Sequence, residues 1–498
     1  MRHHPLRTFI VTGIALFMVS LDNLIVTNAL PSIRTDLGTG LEALEWTVNA
    51  YTLTFAVLLL TGAAVADRFG RRRLFAIGLT VFTASSAAAA LAPGIGTLIA
   101  ARAVQGAGAA IITPLTLTML AAAVPAAKRG QALAAWGAMS GLGVALGPVV
   151  GGALTDYAGW QWIFWINVPI GVVLLALVRP FLSESHGPRR PLDLIGTLLV
   201  SAGLLGIVLG LVEGNGRGWT SGLVLASLIV GAVVLMGFLL YEARAAHPML
   251  PLALFRGRGF SAVNGTALVM SFGMFGSVFL LAQFLQGVQG MSPLEAGVRT
   301  LPWTAMPVLV APLAALLMAR IGARNVLVIA LAFQTAGIVW LSAVTTTDAS
   351  YSALLPAFVL AGIGMGLFFS PQARLVLAFA PQELTGVASG VSNALRQLGT
   401  VLGIAVLGAI FAANGDFESP AAFTAGLTAA TWSGAAVLAV AVVVALIIPT
   451  RLPATAAPAA TPDPAEPAKA QASASEPASV SESESKSASV PASESASA

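Results

Sequence analysis

The chain has no cysteine, only four tyrosines and, across 498 residues, just 9% charged side chains. The missing cysteine excludes disulfides, thiol nucleophiles and thiolate metal sites. The shortage of charge excludes a water-soluble globule, whose composition normally includes about 25% charged residues. Lysine is scarcer still: Lys128, Lys469 and Lys486 are the only three, and none follows a phosphate-binding glycine loop. That excludes an ATP-driven pump of the P-loop type. The four histidines, His3, His4, His186 and His247, are scattered near loops. They form no metal-ligand cluster, and no nucleophile constellation stands beside them, so no enzyme, metal or cofactor is expected.

What the chain does have is apolar length. It is 57% hydrophobic, with a mean hydropathy of +0.87. Fourteen apolar segments can be counted, most near the twenty residues that a bilayer requires. They run over 9–31, 46–66, 74–93, 97–119, 131–155, 161–181, 193–213, 221–242, 262–285, 298–320, 325–345, 352–374, 386–412 and 425–449. The first is read as a helix rather than a cleaved leader, because it carries Asp22 and Pro31 and has no convincing small-residue cleavage site. The fold class is therefore all-α, a polytopic membrane protein.

The formal charge of +4 and pI near 9.8 would suggest nucleic acid in a soluble protein. Here the arginines lie in short loops between apolar segments, so the membrane explains them and no nucleic-acid partner is expected. With the amino terminus inside, the inward loops and helix flanks hold 18 of the 25 Lys and Arg residues. The outward loops hold Arg34, Arg217 and Arg299, while Arg102 and Arg396 lie within helices and Lys469 and Lys486 in the tail. This asymmetry places both termini on the cytoplasmic side. From about Pro453 the composition turns to Ala, Ser, Pro and Glu, which predicts a disordered tail.

The chain repeats itself. A shift of 256 residues places Gly130, Leu142, Gly143, Leu146, Gly147 and Gly152 on Gly386, Leu398, Gly399, Leu402, Gly403 and Gly408. A shift of 252 places Arg68, Gly70 and Arg72 on Arg320, Gly322 and Arg324, and Thr113-Pro114 matches Ser370-Pro371. Two related six-helix halves separated by an inserted helix pair explain all three matches. Parallel repeats of this kind build transporters with a central site between the halves. The domains expected are 1–182 and 259–452 as six-helix bundles, 183–258 as the inserted pair with its linkers, and 453–498 as the tail.

Several residues are expensive in a membrane and so carry information. Asp22 sits mid-helix in SLDNLIVTNALP, where a carboxylate must pair, line a wet cavity, or load and release a proton. Arg102, with Gln105 beside it in LIAARAVQGAG, supplies a fixed guanidinium that would couple protonation to rearrangement. Gly143, Gly147 and Gly152 make a smooth stripe for close helix approach, and Pro148 favours a kink. The loop GAAVADRFGRRR places Asp67 ahead of four arginines and reads as an interdomain latch. Asp22 is the one acid read as lying well inside a helix, against the internal Arg102 and Arg396, which favours neutral or anionic cargo.

These residues together resemble the major facilitator superfamily, specifically its fourteen-helix drug:proton antiporters. Gly62, Asp67, Arg68, Gly70, Arg71 and Arg72 resemble its 2–3 loop signature, and Arg102, Gln105, Gly106 and Gly108 its basic-helix signature. Gly143, Gly147, Pro148, Gly151 and Gly152 resemble the antiporter signature, and Leu21, Asp22, Ala29, Leu30 and Pro31 the acidic motif of the first helix. WQWIFWINVPIG (160–171) and LRQLG (395–399) are similarly family-like, and the likeness spans about residues 8 to 450. The chain departs from the pattern at Leu24 and Thr27, where the family usually has Thr and Asn, with Asn28 displaced by one. Ala319 replaces the acid that would match Asp67.

The resemblance implies the major-facilitator fold, with two six-helix bundles plus two inserted helices, and proton-driven efflux of amphipathic drugs, antibiotics or related metabolites by alternating access. A proton-coupled uptake or facilitative carrier of the same fold is the alternative. Asp22 and Arg102 are the expected proton-coupling pair. The expected cavity wall is Asn49, Tyr51, Gln105, Phe275, Phe279, Gln283, Trp303, Phe368, Asn393 and Arg396. Gly62, Asp67, Arg68, Gly70 and Arg71 are the expected gate, and Gly143 through Gly152 the packing helix. The remaining expectations are a monomer in a bacterial cytoplasmic membrane and no cofactor beyond the proton gradient.

Overall fold

In the computed structural model, residues 5–125, 128–187 and 191–449 are described. The 453–498 tail, with Lys469 and Lys486, lies outside them, as do His3 and His4. Each of the fourteen apolar segments is helical. The spans are α1 (Pro5–Leu37), α2 (Leu41–Phe69), α3 (Arg71–Ala90), α4 (Ile95–Ala123), α5 (Gly130–Ala158), α6 (Trp162–Phe181) and α7 (Leu194–Arg217). They continue as α8 (Gly222–Glu242), α9 (Arg258–Gly287), α10 (Leu301–Ile321), α11 (Ala323–Val344), α12 (Tyr351–Phe379), α13 (Gln382–Asn414) and α14 (Pro420–Ile447). No strand occurs among the described residues.

The spans overrun the apolar runs by several residues, since a helix continues past the hydrocarbon until a cap or a glycine ends it. Gly70 ends α2 at φ +105° and Gly322 ends α10 at φ +81°, a left-handed region where a side chain would be strained. These two glycines are the pair that the 252-residue shift superimposes, so the same tight turn is built twice. At the ends remote from the chain termini, a short extra helix, Pro293–Arg299, precedes α10 and is capped by the Ser292 hydroxyl.

The helix neighbours also repeat. α1 packs on α5 and α9 on α13; α2 and α3 pack on α4, as α10 and α11 pack on α12. The pairing α3 with α6 recurs as α11 with α14. Lipid gives apolar helices no hydrophobic reason to associate, so close packing through small residues must do it. A Cβ at Gly143 would meet the Phe17 carbonyl at 2.8 Å, and one at Gly151 the Ile25 carbonyl at 2.7 Å. In the second half, a Cβ at Gly403 would stand 2.7 Å from the Phe272 Cα. The neighbours thus describe two six-helix bundles and an inserted pair, α7 and α8, the arrangement that the resemblance implies. The inserted helices pack on each other, while α7 also touches α2 of the first half and α13 of the second.

Candidate functional site

Asp22 is the centre of a closed polar network in the first half. Its side chain is 0% exposed and that of Arg102 1%, with Nη1 of Arg102 donating to Oδ2 of Asp22 at 2.6 Å. The other carboxylate oxygen accepts from the amides of Gln105 and Asn167, each at 2.9 Å. Both amides also reach the Ser86 hydroxyl, at 3.1 and 3.0 Å. Arg102 completes its own set by donating to Oε1 of Gln105 at 2.7 Å and to the Thr47 carbonyl at 3.2 Å. Its guanidinium lies 4.2 Å from the centre of the Tyr51 ring, within cation–π range. Arg102 sits on α4 and Asp22 on α1, so the pair ties two helices together. The approach is possible because Gly106 and Gly108 let α4 close on the backbones of α2 and α3.

A buried ion pair of this kind persists only when its remaining lone pairs and protons are satisfied. Oδ2 of Asp22 accepts only from Arg102, so one acceptor position stays open to a proton, whose arrival turns the carboxyl group into a donor. Oδ1 of Asn167 has no hydrogen-bond partner. Rotation of that amide would present it as the acceptor for a protonated Asp22.

The end remote from the chain termini is closed across the two halves. Nδ2 of Asn28 on α1 donates to the Pro148 carbonyl at 2.9 Å and to the Pro293 carbonyl at 2.8 Å. Nε2 of Gln286 on α9 donates to the Asn28 carbonyl at 2.8 Å. Oδ2 of Asp156, at the end of α5, accepts from the Ser292 hydroxyl at 2.7 Å and the Leu294 amide at 2.9 Å. A Cβ at Gly152 would stand 2.7 Å from the Leu294 Cα, so this glycine seats the short second-half helix rather than α1. The five-residue step from Gly147 to Gly152 turns the stripe onto a different neighbour. Replacing Asn28 by alanine removes the one side chain among the described residues whose hydrogen bonds join α1, α5 and the short helix at once. We expect such a variant to shift toward a state open at this end, read as faster alkylation of a cysteine placed at Ser20.

The 2–3 loop behaves differently from expectation. Asp67 pairs with Arg71 on its own turn at 2.8 Å, and its backbone carbonyl accepts from Gly187 at 3.0 Å. The amides of Arg72 and Arg73 are capped by Glu184, at 2.9 and 3.2 Å, and the missing Cβ of Gly70 leaves room for that carboxylate. The expected latch between halves is thus a clasp between the α2–α3 turn and the segment after α6. The cause is local: the i,i+4 arginine reaches Asp67 first. Arg68 is exposed and stacks on Phe69, while a Cβ at Gly62 would stand 3.2 Å from the Ala110 carbonyl oxygen.

Of the expected cavity wall, Gln105 and Tyr51 belong to the Asp22 network instead. Phe279, Trp303 and Phe368 are buried in the apolar packing, with Trp303 stacked on Phe358 and Phe368 edge-on to Phe369. Phe275 is half-buried. Arg396 donates to Asn393 at 2.6 Å. Buried Asn49, Gln283 and Trp303 keep polar atoms without partners, the capacity a ligand would use.

With the fold and this geometry in hand, the comparisons with known proteins decide the family. The profile of the Major Facilitator Superfamily matches residues 12–404 and again 263–489. The chain belongs to the major facilitator superfamily. Among its relatives, the Multidrug resistance protein Stp of Mycobacterium tuberculosis is 37% identical over 415 residues, covering 83% of this chain and 77% of that one. The Tetracenomycin C resistance and export protein of Streptomyces glaucescens is 34% identical, covering 83% and 77%. A solved bacterial homolog of the human lysosomal transporter Spinster superposes with a TM-score of 0.64 at 15% identity, covering 90% and 97%. A D-xylose-proton symporter superposes at 0.63 and 17% identity, covering 90% and 98%. These two superpositions speak for the fold. The chain is a multi-pass protein of a transporter family, not of an enzyme family.

Sequence reasoning missed several of this facilitator's residues. Asn167 is a single polar residue in an apolar run, and that isolation was the available signal; Ser86 follows Ser85 and Thr83 and carried no such mark. Glu45 was missed for another reason: the apolar count begins α2 at 46, whereas the helix begins at Leu41 and buries Glu45 to 2% exposure. Glu45 is thus a buried acid at the end of α2, whereas Asp22 lies well inside α1.

Proposed function

We propose that the chain is a proton-driven exporter of amphipathic small molecules such as drugs, antibiotics or related metabolites. It would work as a monomer in a bacterial cytoplasmic membrane, with both termini cytoplasmic and the proton gradient as its only energy source. The Asp22–Arg102 network carries this reading, because a carboxylate fully buried at mid-membrane is an expense that a proton relay justifies. The resistance and export functions that its relatives' names record support the direction. The closure at Asn28, Asp156 and Gly152 is then the outer gate, and the bundles divide near residues 182 and 258.

In this mechanism a proton joining Asp22 releases Arg102, which keeps Gln105 and the Thr47 carbonyl as partners. Neutral Asp22 then donates to Asn167. Loss of the α1–α4 ion pair lets the first half relax and changes which end is open. Asp22→Asn mimics the neutral form permanently. In inverted membrane vesicles we expect it to abolish substrate-induced proton release while leaving substrate binding within about threefold. Unchanged proton exchange in that variant would overturn the reading, and proton movement together with substrate would indicate a symporter.

A further inference from the structure

The second seam at the outer end is built on a different principle from the first. Gly408 of α13 is the repeat counterpart of Gly152. Where Gly152 receives the Pro293–Leu294 backbone, Gly408 receives the Glu45 carboxyl group of α2, whose carbon would lie 2.7 Å from a Cβ at that position. Glu45 is 2% exposed, and among the described residues its carboxylate has no hydrogen bond and no ion pair. It faces a cavity of about 220 Å³ lined by Gly40, Leu41, Glu42, Val212, Asn215 and Ala412, among others.

No neighbouring group neutralises it. On its own helix, Glu42 lies one turn away, with its carboxyl against Gly216 of α7. On α7, Arg217 pairs with Glu213 at 2.5 Å, and the Asn215 amide is taken by the Ala409 carbonyl at 2.6 Å. α13 brings only Gly408, Ala409 and Ala412. Burying an unpaired carboxylate is costly, and the residues lining this place offer it no cation. A neutral carboxyl fits.

We propose that Glu45 is a proton-binding site of the outer gate: protonated, it lets the α2–α13 seam close, and ionised, it parts the seam. Resting on the exporter reading, this adds the order of events. The outward-open form exposes Glu45 to water and it ionises. A proton taken from the outside neutralises it, α13 seats on it through Gly408, and the gate shuts. α7 takes part because it lines the same cavity, which gives the inserted pair a role at the junction of the halves.

The absence of native cysteine makes the test direct. Thr39→Cys and Ala413→Cys, spin-labelled in the full-length protein in lipid nanodiscs, report the width of the seam by electron–electron resonance. We expect a short-distance population at acid pH that gives way to a long-distance one at alkaline pH. Added to the labelled pair, Glu45→Gln should hold the short distance across the range. Glu45→Ala, read the same way, serves if the glutamine variant fails to assemble. A seam insensitive to pH in the wild type, or an unchanged pH response in the Glu45 variants, overturns the proposal. If substrate-induced proton exchange persists in that case, the exporter reading stands and only the gate assignment falls.

Discussion

Arg102→Ala is expected to be the most damaging single substitution in the protein. Removing one partner of a buried ion pair typically costs about 3–5 kcal/mol, because the surviving charge is left uncompensated. Asp22 would keep the Gln105 and Asn167 amides but lose its only counter-charge, and the Gln105 and Thr47 acceptors would lose their donor. The carboxylate would escape by holding a proton permanently, so any protein that assembles should bind substrate without exchanging protons. Arg102→Lys should rescue little, since one ammonium cannot span Asp22, Gln105 and Thr47 while lying flat on Tyr51. Asp22→Asn added to Arg102→Ala should recover part of the folded yield, measured as monodisperse protein after detergent extraction. A double variant whose loss equals the sum of the two single losses would show that the pair is not energetically coupled.

The second large effect separates glycines of the same helix. Gly151→Leu puts a side chain against the Ile25 backbone, where even a Cβ comes within 2.7 Å, and must push α1 from α5. The displacement reaches Asn28 and Pro148, so loss of both assembly and transport is expected. Gly137 lies on the same helix with nothing within 4 Å of its Cβ position. Gly137→Ala should be neutral or slightly stabilising, since alanine is favoured over glycine in a helix interior by roughly 0.5–1 kcal/mol. Thermal stability and transport of the two variants, measured side by side, check the assignment of the stripe. A tolerated Gly151→Leu would mean that α1 and α5 do not pack as described.

The glycine stripe shows how far the sequence reaches. Spacing alone identifies Gly143, Gly147 and Gly152 as a close-approach surface, and the shift of 256 residues finds the same surface in α13. Which helix each glycine meets is a different matter. Gly152 leaves α1 for the short helix at Pro293, and its counterpart Gly408 meets a glutamate of α2. Neither neighbour is near in sequence.

Asp22 and Arg102 were legible because a membrane makes charge conspicuous, and their pairing across 80 residues follows from the short supply of partners. Asp67 misled for the opposite reason: several arginines lie within reach, and the nearest took it, leaving Glu184 to cap the next helix. Glu45 was hidden by its place at a helix end, where acids ordinarily face water.

By itself the sequence determined the fourteen helices, the doubled architecture, the membrane setting and the identity of the central charged pair. Those follow from composition and periodicity, which act along the chain. Only the tertiary structure decided that Asn167 and Ser86 complete the Asp22–Arg102 network, that Asn28 and Asp156 close one end, and that Glu45 is buried with no partner among the described residues. Those depend on which side chains of distant helices meet, and in a bilayer that choice is made by packing and hydrogen bonding between helices whose apolar surfaces are otherwise interchangeable.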